Sequence, residues 1–151
     1  MIRQAPTSSF ERKMRKIAAF ASCFIAFAEA PATAAEKCPV GDIAAEKAGG
    51  YANAVKAALE DAPNCERAYK ALAACQLGSS GDNALSDIVR SKCEPLFLVR
   101  ASPATKQAYK KARQRCDKIA ERNEGSMYQG FAAVCQAGAA RDFARQYARR
   151  R

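Results

Sequence analysis

The sequence predicts an all-α fold, a small disulfide-stapled helical domain of four to six helices built from helical hairpins. Three observations carry that expectation. Beyond residue 40, apolar residues recur at steps of three and four, and no stretch sustains the period-two alternation of a half-buried strand. The runs are punctuated by helix starts and stops: Gly49-Gly50, Pro63-Asn64, Ser102-Pro103 and Gly125-Ser126. Six cysteines follow an N-terminal apolar segment, namely Cys38, Cys65, Cys75, Cys93, Cys116 and Cys135, and an even count in that position implies a disulfide framework in an oxidising compartment.

Residues 1–34 read as a secretion signal and 35–151 as a single disulfide-rich helical domain. Arg12, Lys13, Arg15 and Lys16 form a positive start, residues 17–28 an apolar run, and Ala32-Thr33-Ala34 a small-residue cleavage site. The apolar run is too short to span a bilayer as a permanent helix, so no transmembrane span is expected after cleavage. The polar lead before Met14 makes Met14 an alternative start to Met1. Cys23 falls inside the apolar run and leaves with it. Cleavage after Ala34 removes five Lys/Arg and two Asp/Glu, leaving 20 basic against 13 acidic residues, a net +7. The expected location is periplasmic or secreted.

Within the domain, Asp42 is placed to cap a short helix over 43–48, stopped by Gly49-Gly50. Tyr51, Val55, Ala58 and Leu59 mark the next helix, which ends before Pro63. Cys65, Ala68, Tyr69, Leu72 and Cys75 form a single-sided stripe. Residues 77–83 are a loop by composition. Residues 85–93 read as a helix with Leu85, Ile88 and Val89 inward, and Pro95 ends or kinks it. Phe97-Leu98-Val99 is one further helical turn or an extended packing segment. Ser102-Pro103 starts the next helix, with Ser as N-cap and Pro where no amide donor is needed. Tyr109, Ala112, Cys116, Ile119 and Ala120 line one side of it. After Gly125, with Ser126 as the expected cap, Tyr128, Phe131 and Cys135 again step by three and four. The apolar residues are largely Ala, which predicts a thin core and a large stabilising share for the disulfides.

Spacing suggests which sulfurs meet. Cys116 lies nine residues before Gly125 and Cys135 ten after it, so in an antiparallel hairpin the two are level. A weak internal echo points further. Ala68-Tyr69-Lys70 precedes Cys75 and Cys93 as Ala108-Tyr109-Lys110 precedes Cys116 and Cys135. Two related hairpins, each stapled internally, would give pairs 75–93 and 116–135, with 38–65 tying down the N-terminal helices. A pairing of Cys75 or Cys93 with the other hairpin stays open.

The residue inventory argues against an enzyme. There is no His, and so neither the usual general base nor the commonest metal ligand. The cysteines show no C-x-x-C spacing, no Gly-rich phosphate loop is present, and no cofactor or metal is expected. Ser79, Ser80 and Ser126 have no evident base beside them. The remaining functional signal is charge, with 25 Lys/Arg against 15 Asp/Glu. Lys111, Arg115, Lys118 and Arg122 fall on the side of their helix opposite the apolar stripe. Arg141, Arg145 and Arg149 make a second stripe at spacing four, ending in Arg150-Arg151. These stripes are candidate anion-binding surfaces for an envelope lipid or polysaccharide. Nucleic acid is disfavoured, since aromatic residues do not interleave with the cations.

The segment from Cys116-Asp117-Lys118-Ile119-Ala120-Glu121-Arg122-Asn123-Glu124-Gly125-Ser126-Met127-Tyr128 to Ala133-Val134-Cys135 resembles the C-terminal hairpin of the LprI-type lysozyme-inhibitor family. Members are small, helical, cysteine-bearing secreted bacterial proteins. The shared pattern is a cysteine, a Gly-Ser turn, a second cysteine on the following helix and an Arg-containing continuation, found here between Gln107 and Tyr147. The resemblance implies a periplasmic or surface protein that blocks a peptidoglycan-degrading enzyme. It carries over Cys116, Gly125, Ser126 and Cys135 as structural positions, and no residue as an inhibitory one.

Overall fold

The periodicities are realised as six α-helices within residues 37–150, the part of the chain that the computed structural model describes: α1 (Asp42–Lys47), α2 (Tyr51–Glu60), α3 (Cys65–Ala74), α4 (Asp82–Cys93), α5 (Pro103–Glu121) and α6 (Ser126–Arg149). A 3₁₀ turn, Glu94–Leu96, follows α4. No strand occurs among the described residues, and the architecture is a small disulfide-stapled all-α domain. The expected secretion signal and Cys23 lie outside the described residues.

The caps explain most boundaries. Asn64 Oδ1 accepts from the Arg67 amide at 3.0 Å and starts α3. Ser102 Oγ accepts from the Thr105 amide at 3.2 Å and starts α5, with Pro103 in its first turn. Two starts differ from expectation. Asp42 and Ser126 are the first helical residues of α1 and α6 rather than their caps, and neither Gly41 nor Gly125 before them offers a side-chain acceptor. At φ 110° Gly125 adopts a backbone that L side chains avoid, so it turns the chain into α6 without help from the serine. After α4, Pro95 falls in the 3₁₀ turn, and the following turn buries Phe97 completely.

The disulfides join Cys38–Cys75, Cys65–Cys93 and Cys116–Cys135. The expected pairs 38–65 and 75–93 are therefore wrong; the α3–α4 hairpin is stapled internally like α5–α6, but through Cys65 rather than Cys75. The reason is the register rule that fits Cys116 and Cys135. In the α3–α4 hairpin the connection is 75–81, centred on Gly78, which places Cys65 thirteen residues before it and Cys93 fifteen after. Those two are close to level and bond. Cys75 sits just past α3, close to the turn, far along the hairpin from Cys93, and it is left for Cys38 in the segment ahead of α1.

α6 is the central element, packing on α3, α4 and α5. Small residues allow that approach: Gly130, Ala132, Ala137, Gly138, Ala140 and Ala144 are all buried. A Cβ built on Gly130 would run into the Ser79 carbonyl oxygen and lie 3.0 Å from Asp82 Oδ2. Asp82 itself is fully buried, and its carboxylate accepts from the amides of Leu77 (2.8 Å), Gly78 (2.9 Å) and Ser79 (3.4 Å), tying the α3–α4 loop to the start of α4. Leu59, Leu72, Val55 and Val89 fill the core around the Cys65–Cys93 bridge. Towards α5 the filling is aromatic, with the Phe97, Tyr109 and Phe143 rings at centroid distances of 5.1, 5.3 and 5.7 Å.

Candidate functional site: the basic face of α5

α5 carries its charge in two sectors, and the seam with α6 explains why. Cys116 points at Cys135 and fixes the seam. At about 100° per residue, Lys111, Arg115, Lys118 and Arg122 lie about 100–160° to one side of Cys116, and Asp117 and Glu121 about 100–140° to the other. Asp117 is held on its side. It accepts a hydrogen bond from Gln136 Nε2, while Gln136 Oε1 accepts from Arg90 (3.2 Å) and Arg113 (3.3 Å). Arg90 also meets Asp87 and Glu94, and Glu94 accepts from the Tyr109 hydroxyl at 2.7 Å. This network satisfies the half-buried polar groups between α4, α5 and α6 and draws Asp117 to the seam with α6.

Lys111, Arg115, Lys118 and Arg122 are all exposed, and among the described residues no ion pair holds any of them. Over eleven residues of helix they span about 16 Å. Arg115, Lys118, Ile119, Arg122 and Asn123 border an open groove near the α5–α6 turn. Asp117 and Glu121 border the far edge of this sector, beside Lys118, but four cations against two carboxylates still leave a positive potential suited to an anionic surface or polymer.

The second stripe is divided by its surroundings. Arg141 lies 4.3 Å from the centre of the Tyr69 ring, within 3.7 Å of Glu66 and within 3.2 Å of Asp142, and its side chain is only 19% exposed. Arg145 shares Glu66 at 3.9 Å. Gly138 permits this arrangement, since Tyr69 packs where a Cβ would be, 3.0 Å from its hydroxyl oxygen. Arg141 thus joins α6 to α3, and of the second stripe only Arg149 stands outside it. Glu66 lies 75 residues from Arg141, and no local spacing marks that pairing.

The six cysteines among the described residues are all in disulfides. Among the described residues no group of three or more His, Cys, Asp or Glu could hold a metal, and no helix is long and apolar enough to cross a membrane. The three-and-four stepping puts Phe131 on the inward stripe with Tyr128 and Cys135, yet it is 38% exposed, and Met127 one turn earlier is 43% exposed. Periodicity alone does not distinguish the rim of a seam from its centre. Compared with protein-family models, with curated proteins and with solved structures, the chain finds no match in any of the three.

Proposed function

We propose that this is a periplasmic or secreted, non-enzymatic binding protein of the bacterial envelope whose working surface is the outer face of α5, and that its ligand is polyanionic. The observation that carries this reading is the exposed set Lys111, Arg115, Lys118 and Arg122, four cations in one sector of α5 that no ion pair among the described residues holds. Three disulfides and the signal-like residues 1–34 support the oxidising compartment. The test is retention on dextran sulfate in low and moderate salt. Each cation near an anionic surface contributes about 1 kcal/mol, so the triple reversal Arg115→Glu, Lys118→Glu, Arg122→Glu should weaken retention by well over tenfold. Retention of the triple variant equal to wild type would sink the reading.

A second reading is favoured by one specific observation. Cys116 and Cys135 form the staple and Gly125 the turn of the α5–α6 hairpin, as the resemblance to lysozyme inhibitors would have them, while Ser126 opens α6. On that reading the ligand is a peptidoglycan-degrading enzyme. A cell-wall lysis assay with lysozymes of several types separates the two. Animal-type lysozymes are basic, so charge reversal on α5 should preserve or improve inhibition of them, whereas it should abolish polyanion binding.

A further inference from the structure

The hairpin register places the exposed Met127 and Phe131 and the half-buried Ile119 beside the free cations, at the end of α5–α6 nearest the turn. Relative to the bonded pair Cys116–Cys135, Asp117 and Gln136 each turn about 100° to one edge of the seam, where they hydrogen-bond. Ile119 and Phe131 turn about 60° and 40° to the other edge. Positions level with each other across the bond have numbers that sum alike, so Ile119 falls level with Ala132, and Phe131 with Ala120. Ile119 and Phe131 therefore flank the same stretch of the same edge. Arg115 and Arg122 bracket Ile119 at i−4 and i+3, and Met127 extends the apolar edge one turn towards the tip. Glu121 lies about 140° from Cys116 on the side of Asp117, away from Ile119.

From this juxtaposition of Met127, Phe131 and Ile119 with Arg115, Lys118 and Arg122, we infer that the tip of the α5–α6 hairpin docks on the surface of an anionic phospholipid bilayer. The inference rests on the polyanion reading of α5 and narrows it. A purely polar polyanion would recruit the cations and leave Phe131 and Met127 in water. A bilayer offers both layers at the right depth: phosphates for the arginines, and the acyl boundary for an aromatic and a thioether side chain. No helix among the described residues is long and apolar enough to cross the membrane, so the contact is superficial and depends on lipid charge and on salt.

The chain has no Trp, which makes a local reporter available. Oxidised Phe131→Trp protein is mixed with phosphatidylglycerol vesicles, with phosphatidylcholine vesicles and with dextran sulfate. Val99→Trp, at a residue 78% exposed beyond the 3₁₀ turn, serves as the remote control. The expected result is a blue shift of the Phe131→Trp emission with phosphatidylglycerol alone, and none from the control. The double variant Met127→Ser, Phe131→Ser should lose at least tenfold in partitioning to phosphatidylglycerol vesicles, with dextran sulfate binding and helical content unchanged. Phe131→Leu should restore partitioning, which separates apolar contact from a folding defect. Vesicle binding without a blue shift, or undiminished in the double serine variant, overturns the inference and leaves α5 as a site for polar polyanions. Dextran sulfate binding without vesicle binding also overturns the inference alone. Failure to bind either probe overturns the polyanion reading with it.

Discussion

Gly130 shows how much one missing methyl group decides in this chain. It lies within the helical run of α6, where Ala would ordinarily be favoured by up to about 1 kcal/mol. Here the Ser79 carbonyl and the Asp82 carboxylate occupy the space of the Cβ, and the carbonyl is backbone that cannot rotate away. We expect Gly130→Ala to destabilise by about 1–3 kcal/mol, the usual cost of overpacking, with Gly41→Ala as a control, since nothing lies within 4 Å of a Cβ there. Urea denaturation of the two variants measures it, and equal midpoints would mean that α6 stands off the α3–α4 loop. Tyr109 offers a second test at the same scale. Burial, and then the hydrogen bond it donates to Glu94, push its phenol well above the ordinary value of about 10. The unfolded chain loses that proton near pH 10 while the folded one keeps it. The stability this group contributes is therefore complete below about pH 10 and lost as pH rises beyond it. Tyr109→Phe should flatten the alkaline fall of unfolding free energy by up to about 1.4 kcal/mol per pH unit, read from urea curves at increasing pH. An unchanged slope would place the phenol in water.

Among the elements, α5 is the most loosely supported. Of the other α-helices it packs on α6 alone, whereas α3 meets α2, α4 and α6. The Cys116–Cys135 bond and the Phe97–Tyr109–Phe143 cluster are its main attachments. Replacing both cysteines by Ser should remove about 3 kcal/mol by the loop-closure argument for a separation of 19 residues. Hydrogen exchange should then accelerate chiefly in α5 while α3 and α4 keep their protection, and uniform acceleration would contradict a separable α5. Much of this was legible in the sequence. Ser102, Pro103, Gly125 and the three-and-four stepping defined α5 and α6, and the outward placement of Lys111, Arg115, Lys118 and Arg122 followed from the same period. The fate of Arg141 and Arg145 was not legible, because their partners Glu66 and Tyr69 belong to another helix and only the close approach at Gly138 brings them together. The pairing of Cys65 with Cys93 was legible in principle. From the centre of the loop at 77–83, Ser80, Cys65 lies fifteen residues back and Cys93 thirteen on, near enough to level for two helices to pair them, whereas the echo of Ala-Tyr-Lys segments points to Cys75. A chance likeness of three residues outweighed a geometric constraint.

At the scale of the whole described domain, the bridges are arranged unequally. Cys38–Cys75 and Cys65–Cys93 interleave, so that α3 lies within both closed loops, while Cys116–Cys135 stands apart on the hairpin. Access differs as well. Cys65 and Cys93 are 6% and 0% exposed and lie within the core cluster, whereas Cys38 and Cys135 are half-buried. Thiol–disulfide exchange requires a thiolate to reach a sulfur. Mild reductant under native conditions, followed by alkylation and peptide mapping, should therefore open Cys38–Cys75 and Cys116–Cys135 before Cys65–Cys93. A native map must first show peptides joined 38–75 and 65–93, and peptides joined 38–65 or 75–93 would refute the observed connectivity. The last bridge should resist until the core opens. Its loss should coincide with loss of helical signal, because each bridge restricts the unfolded chain by about 3–4 kcal/mol and a domain of this kind has only about 5–15 kcal/mol in all. A core in which Ala supplies much of the buried surface has little else to replace them. Early opening of Cys65–Cys93 with helicity retained would show instead that packing around Val55, Leu59, Leu72 and Val89 suffices to hold α2, α3 and α4 together.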